Sequence, residues 1–316
     1  MGNVLCDMMG IRHPILLGGM LFVGRARLVA AVSRAGGLGI LGAGAMKPDE
    51  LREEIGRVRA FTDCPFGVNI PVRSPRAQAL AQVAVQESVN VVSTSAGSPF
   101  LYTHFLKENR ITVIHVVPTV AHAVRAQEAG VDAIVAEGSE SGGYISLEEV
   151  TTLALVPQVV DAVKVPVIAA GGIADARGLV AALALGAVGI QMGTRFLATL
   201  ECDIPPDYKR AILVATDIDT IVVRGERTAH RDLKKELIDR VRESREGPSM
   251  EVEEMVASFE RGSIGDLAEG RTVWSVRSAG QSAGLVRDVL PAEEVIHRIM
   301  KEAVQLMASL PEKVPR

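Results

Sequence analysis

The run Val135-Ala-Glu-Gly-Ser-Glu-Ser-Gly-Gly-Tyr144 passes from apolar residues to carboxylates, glycines and a phenol. Such a run is a strand opening into a polar loop. Gly138, Gly142 and Gly143 remove side chains where a flat ligand can press on backbone, and Tyr144 sets a proton-bearing group beside it. A phenol, with a reference pKa of about 10, is a donor at neutral pH and a poor base.

Two later runs end in a different chemistry. Ala170-Gly-Gly-Ile173 precedes Asp175, and Gln191-Met-Gly-Thr-Arg195 closes another apolar segment. Both offer bare backbone N–H groups close to expected helix starts, where phosphate is bound readily. Earlier runs end in Gly18-Gly19-Met20, Asn69, Ser95 to Gly97, and Glu137-Gly138. Few of these ionise, and neither a nucleophile triad nor a metal-ligand cluster stands out. A mouth of glycine, Met and Asn suits a phosphorylated redox cofactor that brings its own reactive atom, with the protein positioning and protonating. No metal is expected.

These residues need elements to hold them. Short apolar runs begin at Ile15, Gly39, Phe66, Val89, Thr112, Ala133, Pro166 and Ala187, and amphipathic stretches lie between them, among them 49–60, 74–87, 120–129, 152–163 and 176–185. Runs that are apolar throughout, instead of alternating, belong to parallel strands covered on both faces, and about eight of them predict a closed (β/α)8 TIM barrel. Residues ending the runs then share one face, where barrels keep their active sites. A doubly wound sheet is the alternative. Its apparent support, Gly37-Leu-Gly-Ile-Leu-Gly42, lies inside an apolar run instead of between a strand and a helix.

After Leu200 the pattern shifts. Cys202-Asp-Ile-Pro-Pro-Asp207 is a break, and the charged stretch from Asp207 to about Glu260 reads as helical. The expected division is a barrel over 1–200, a helical lid or substrate subdomain over the mouth at 201–275, and a C-terminal segment and helix at 276–316 that packs back on the barrel. In that lid His230, beside Arg227 and Arg231, could meet a substrate phosphate or a nicotinamide nucleotide, although a solvated helix face is its default. His115 lies within the fifth run and could approach the mouth as a second catalytic group.

The chain has 316 residues, 48% of them hydrophobic and 3% aromatic, with net charge -4; its mean hydropathy is +0.24 and its pI near 5.9. It can bury a large core and has no global attraction for nucleic acid or anionic membrane. Cys6, Cys64 and Cys202 show no zinc or disulfide spacing. A cytoplasmic protein with small-molecule chemistry is expected, with neither nucleic acid nor membrane as partner.

Pro14-Ile-Leu-Leu-Gly-Gly-Met20, Ala35-Gly-Gly-Leu-Gly39, Phe66-Gly-Val-Asn-Ile70, Ala136-Glu-Gly with Ser141-Gly-Gly143, Leu155-Val-Pro-Gln158, Pro166-Val-Ile-Ala-Ala-Gly-Gly-Ile173 and Gln191-Met-Gly-Thr-Arg-Phe196 together resemble the nitronate monooxygenase (2-nitropropane dioxygenase) family. Asp207-Tyr-Lys, Thr216-Asp-Ile-Asp-Thr220 and Gly280-Gln-Ser-Ala-Gly-Leu285 look more like its flavin-dependent enoyl-acyl-carrier-protein reductase branch. The resemblance implies FMN, with Gly19 and Met20 beside the isoalloxazine. Asn69, Gly97, Glu137, Gly138, Gly142 and Gly143 would surround ring and ribityl, and Gly171, Gly172, Gly193 and Thr194 the phosphate.

The family usually places a histidine after the Gly-Gly, where this chain has Tyr144. Proton abstraction is therefore disfavoured, and donation to a reduced substrate remains open if a neighbour restores the proton. The first expectation is NADH- or NADPH-dependent reduction of an activated C=C such as an enoyl thioester. The alternatives are nitronate oxidation, quinone reduction, or a flavin-binding protein without turnover. A small molecule or acyl thioester is the expected partner, and a homodimer is the assembly to test for.

Overall fold

The computed structural model of the chain describes residues 2–225, 229–234 and 277–313. Each of the eight apolar runs forms a strand: β1 Ile15–Leu17, β2 Gly39–Gly42, β3 Phe66–Pro71, β4 Val91–Ser95, β5 Thr112–Val117, β6 Ala133–Glu137, β8 Val167–Ala170 and β9 Gly189–Met192. Their order is β1-β9-β8-β6-β5-β4-β3-β2, and every neighbour is parallel. Leu38 brings the ends together, donating its N–H to Ile15 O at 3.0 Å and accepting from Leu17 N at 2.9 Å. The sheet thus curls into a nearly closed TIM-type barrel.

Val, Ile, Leu and Ala point both ways from these strands because both faces are covered. Leu16, Ile40, Val91, Ile114, Val135 and Ile168 fill the barrel interior, and Leu5, Met9 and Ile11 plug its lower end. The plug is the helix Val4–Met9, whose cap Asn3 accepts from Leu5 N and Cys6 N and whose Nδ2 donates to Val188 O at 2.8 Å. Outside, Pro48–Phe61, Ala77–Gln86, Val120–Glu128, Thr152–Ala162 and Ala176–Ala184 bury one face each against the strands. The last helix, Ala292–Ser309, buries Val295, Ile296 and Ile299 and packs against Ala176–Ala184 and Ala26–Arg34. It takes the place of the eighth barrel helix, so residues 201–290 are an insertion between the eighth barrel strand and its helix.

That insertion departs from the helical expectation. Pro206–Val214 is a helix, but β10 Thr220–Arg224 and β11 Ala229–Leu233 form an antiparallel hairpin that adds to β7 Gly143–Ile145. Thr220-Ile-Val-Val is β-branched, a composition that favours a pleated surface over a helix. The expected helical stretch from 235 to 260 and the rest of the lid to 276 lie outside the described residues. Among the described residues no helix is long and apolar enough to cross a membrane.

Candidate active site

The site is built on the ends of β1, β3, β6, β8 and β9 and on the loops that follow them. Parallel neighbours in register share a face, and this pairing fixes which side chains look inward. Gly42 pairs with Asn69, Asn69 with Ser93, Glu137 with Ala170, and Gln191 with both Leu16 and Ala170. Asn69, Ser93, Glu137 and Gln191 therefore ring the upper interior. Asn69 is 4% exposed, and its Nδ2 reaches Ser93 Oγ at 3.2 Å and Ser95 Oγ at 3.4 Å. Gly19 lies so close that a Cβ there would collide with Asn69, which leaves backbone as the surface offered beside Met20.

The β6 loop and the β8 loop are locked together. Gly171 has φ +98, a conformation that favours glycine, and a Cβ on it would stand 2.8 Å from Gly138 O and from Thr152 Oγ1. Glu140 turns back to accept from Thr152 N at 2.9 Å and Thr152 Oγ1 at 2.9 Å, an anion at the start of the helix Thr152–Ala162. Segment 279–281 closes the other side: Gly280 N donates to Thr194 Oγ1 at 2.9 Å and Gln281 N to Glu140 O at 2.9 Å. Gly193 approaches Met20, whose sulfur lies 3.4 Å from where a Cβ would be. The strand ends and loops that carry the glycines therefore lie on one end of the barrel, and Gly97 stands farther along that rim, against Val72.

Two groups at this mouth are under tension. Burial pushes the Glu137 carboxyl up to about 7, because the protein packed round it disfavours the charged form. Gln191 is 7% exposed and its Oε1 has no hydrogen-bond partner, an acceptor awaiting a donor. Nothing in the sequence alone marks Gln191 as a site residue. A buried amide at a strand end that pairs with Leu16 is the signal, and it becomes visible once the register is known.

His115 requires a correction. It pairs with Thr94 and Ile134, the outward-facing partners, so its ring lies in the layer between barrel and helices, where it reaches the Gly97 backbone from behind the rim. There its Nδ1 meets Thr94 Oγ1 at 2.7 Å, and burial, assisted by His122, lowers its pKa to about 4. A neutral, packed imidazole is the result. His104 and His122 stand on the outer helices, paired with Glu108 and Thr119.

Tyr144 is 45% exposed on β7 at the rim. Across the strand pair sits His230, ring centroids 4.8 Å apart and edge to face. His230 Nδ1 lies 2.7 Å from Asp232 Oδ2, with side-chain exposures of 19% and 8%. Arg231, between them, faces the other way and donates to Ser139 O at 3.0 and 3.1 Å, docking the hairpin on the β6 loop. The charge pattern that predicts a helix here hides this pair, because only on a strand do positions 230 and 232 share one face.

Residues 3–302 match the family described as nitronate monooxygenase. The chain belongs to the nitronate monooxygenase family. It is 34% identical, over 95% of each chain, to the (3aS,4S,5R,7aS)-5-hydroxy-7a-methyl-1-oxo-octahydro-1H-indene-4-carboxyl-CoA dehydrogenase of Mycobacterium tuberculosis. A probable nitronate monooxygenase of Staphylococcus saprophyticus is 31% identical, covering 95% of this chain and 97% of its own. Among solved structures, FabK from Thermotoga maritima superposes with a TM-score of 0.87 at 45% identity, over 99% of this chain and 100% of that one. As a member of this family the protein is an FMN-dependent oxidoreductase. The glycine cradle between the β6 and β8 loops and the unpartnered Gln191 Oε1 fit that cofactor.

Proposed function

We propose that the protein reduces an activated C=C, with an enoyl thioester as the substrate class and NADH or NADPH as the electron donor. The observation that carries this reading is the likeness to FabK, an enoyl-acyl-carrier-protein reductase, over nearly the whole of both chains. The name of the mycobacterial relative, a carboxyl-CoA dehydrogenase, adds a thioester among the family's substrates.

Bound FMN supplies a site that accepts a hydride from one partner and returns it to another. This chain's residues do the remainder. Gly19 and Met20 would offer a flat surface to the ring, Asn69, Gly97, Glu137, Gly138, Gly142 and Gly143 would border ring and ribityl, and Gly171, Gly172, Gly193 and Thr194 would take the phosphate. Thr194 Oγ1 accepts from Gly280 N, which leaves its hydroxyl hydrogen available to donate to a phosphate oxygen. Gln191 Oε1 would accept a hydrogen bond from the cofactor, and the rim where β7 and β11 pair would supply the substrate carbon's proton.

Anaerobic stopped-flow on the yellow protein tests the reading. NADH or NADPH should bleach it, and crotonyl thioester should restore the colour; failure of both nucleotides to bleach it sinks the proposal. Nitronate oxidation is the second reading, favoured by the family match and the staphylococcal relative. It predicts bleaching by propyl-2-nitronate with oxygen uptake.

A further inference from the structure

The rim of this site holds an acid–base pair on an element outside the barrel. His230 and Asp232 share one face of β11, and the carboxylate, 5% exposed, makes its described hydrogen bond to the imidazole, while its Oδ1 has no partner. A buried carboxylate on Nδ1 holds the ring in the tautomer that carries hydrogen there and leaves Nε2, across the ring, as the nitrogen away from that carboxylate. The same face carries Tyr144 in edge-to-face contact with the imidazole, and β11 is fixed in place by Arg231 on the β6 loop.

From this geometry we infer that His230, positioned by Asp232, is the proton donor of the reaction, and that Tyr144 serves chiefly as the wall that seats the imidazole. The inference rests on the reductase reading. The alkene gains a hydride at one carbon, and at the other its π pair takes the Nε2 proton of the imidazolium, whose Nδ1–H stays on Asp232; the Nδ1–H imidazole left behind takes a proton from solvent at the exposed rim. The two electrons come from the nicotinamide nucleotide, which leaves oxidised. Among the described residues, Val223 lies opposite His230 on β10 and the Tyr208 phenol near Asp232, with Arg277 over the Tyr208 ring.

The test separates half-reactions in the FMN-loaded enzyme. His230→Gln should bleach with NAD(P)H within about twofold of wild type, and its re-oxidation by crotonyl thioester should slow by about 10²–10⁴-fold, the range for a lost general acid. Re-oxidation by ferricyanide, which needs no proton at carbon, should be unchanged. Tyr144→Phe, which keeps the ring, should slow thioester re-oxidation less than tenfold. Independently of turnover, 15N NMR of the imidazoles should show His230 protonated at Nδ1 in wild type and a mixture of tautomers in Asp232→Asn.

Thioester re-oxidation of His230→Gln within threefold of wild type overturns the inference, as does a larger loss in Tyr144→Phe than in His230→Gln. If wild type accepts no enoyl thioester, the proposed function falls by itself. His230 is then judged on dithionite-reduced enzyme with a quinone, which also takes up protons, and on the tautomer: equal quinone rates in wild type and His230→Gln, or an unprotonated Nδ1, sink it.

Discussion

Glu137 and His115 are each displaced by burial, and in opposite senses for stability. Folding raises Glu137 from 4.5 to about 7, so between those pH values the folded chain holds a proton that the unfolded chain releases. Its stabilising effect is complete below about 4.5 and is lost as pH rises through 7. Folding lowers His115 from 6.5 to about 4, so the unfolded chain holds the extra proton; that contribution is complete above 6.5 and is lost as pH falls through 4. Over the shared window each slope is at most about 1.4 kcal/mol per pH unit, and the two oppose one another. Glu137→Gln should therefore gain stability relative to wild type by about 1–3 kcal/mol as pH rises from 5 to 7, read from urea midpoints of the apoprotein. A difference that stays flat across this range would mean that Glu137 titrates as an ordinary carboxylate.

At the scale of elements, the eight barrel strands were legible because each is an unbroken apolar run, and the helices between them because each carries one apolar face. The hairpin β10–β11 was not, since Arg224, His230, Arg231 and Asp232 mask the β-branched run at 220–223 with the charge of a solvated helix. The plug helix Val4–Met9 has six residues, too few to show a period. His115 failed for a further reason: adjacent strand residues face opposite ways, and only the register with Thr94 tells which way. The strand ends that carry the glycines and Asn69 were legible as ends of apolar runs, whereas the partner that a distant segment supplies, as Thr152 does for Glu140, was not. That cap carries a prediction of its own. Glu140→Ala leaves the first N–H of the helix Thr152–Ala162 without its acceptor and should cost about 1–2 kcal/mol in urea unfolding, with Glu140→Gln costing less because an amide oxygen remains. Equal losses in the two variants would assign the effect to charge and not to capping.

The whole molecule divides stability from chemistry along the barrel axis. At the lower end Leu5, fully buried, fills the interior together with Met9, Leu16 and Ile40, and Gly189 is bare where it passes Leu5. At the upper end the loops after β6, β8 and β9 carry the glycines and polar groups, and segment 279–281 crosses from Thr194 to Glu140 to hold them. Barrels place their active sites at the upper end, so changes at the lower end should alter stability alone. Leu5→Ala opens a cavity in the plug and should cost about 2–5 kcal/mol, while FMN content and the rate of bleaching by NAD(P)H stay as in wild type. Gly171→Ala should do the reverse. Its strained φ and the close Gly138 carbonyl cost about 1–3 kcal/mol locally, and the loss should appear first as a lower ratio of flavin absorbance to protein, because the loops it joins are those assigned to the cofactor. Flavin loss in Leu5→Ala at a temperature where the protein is still folded would show that the two ends of the barrel are coupled.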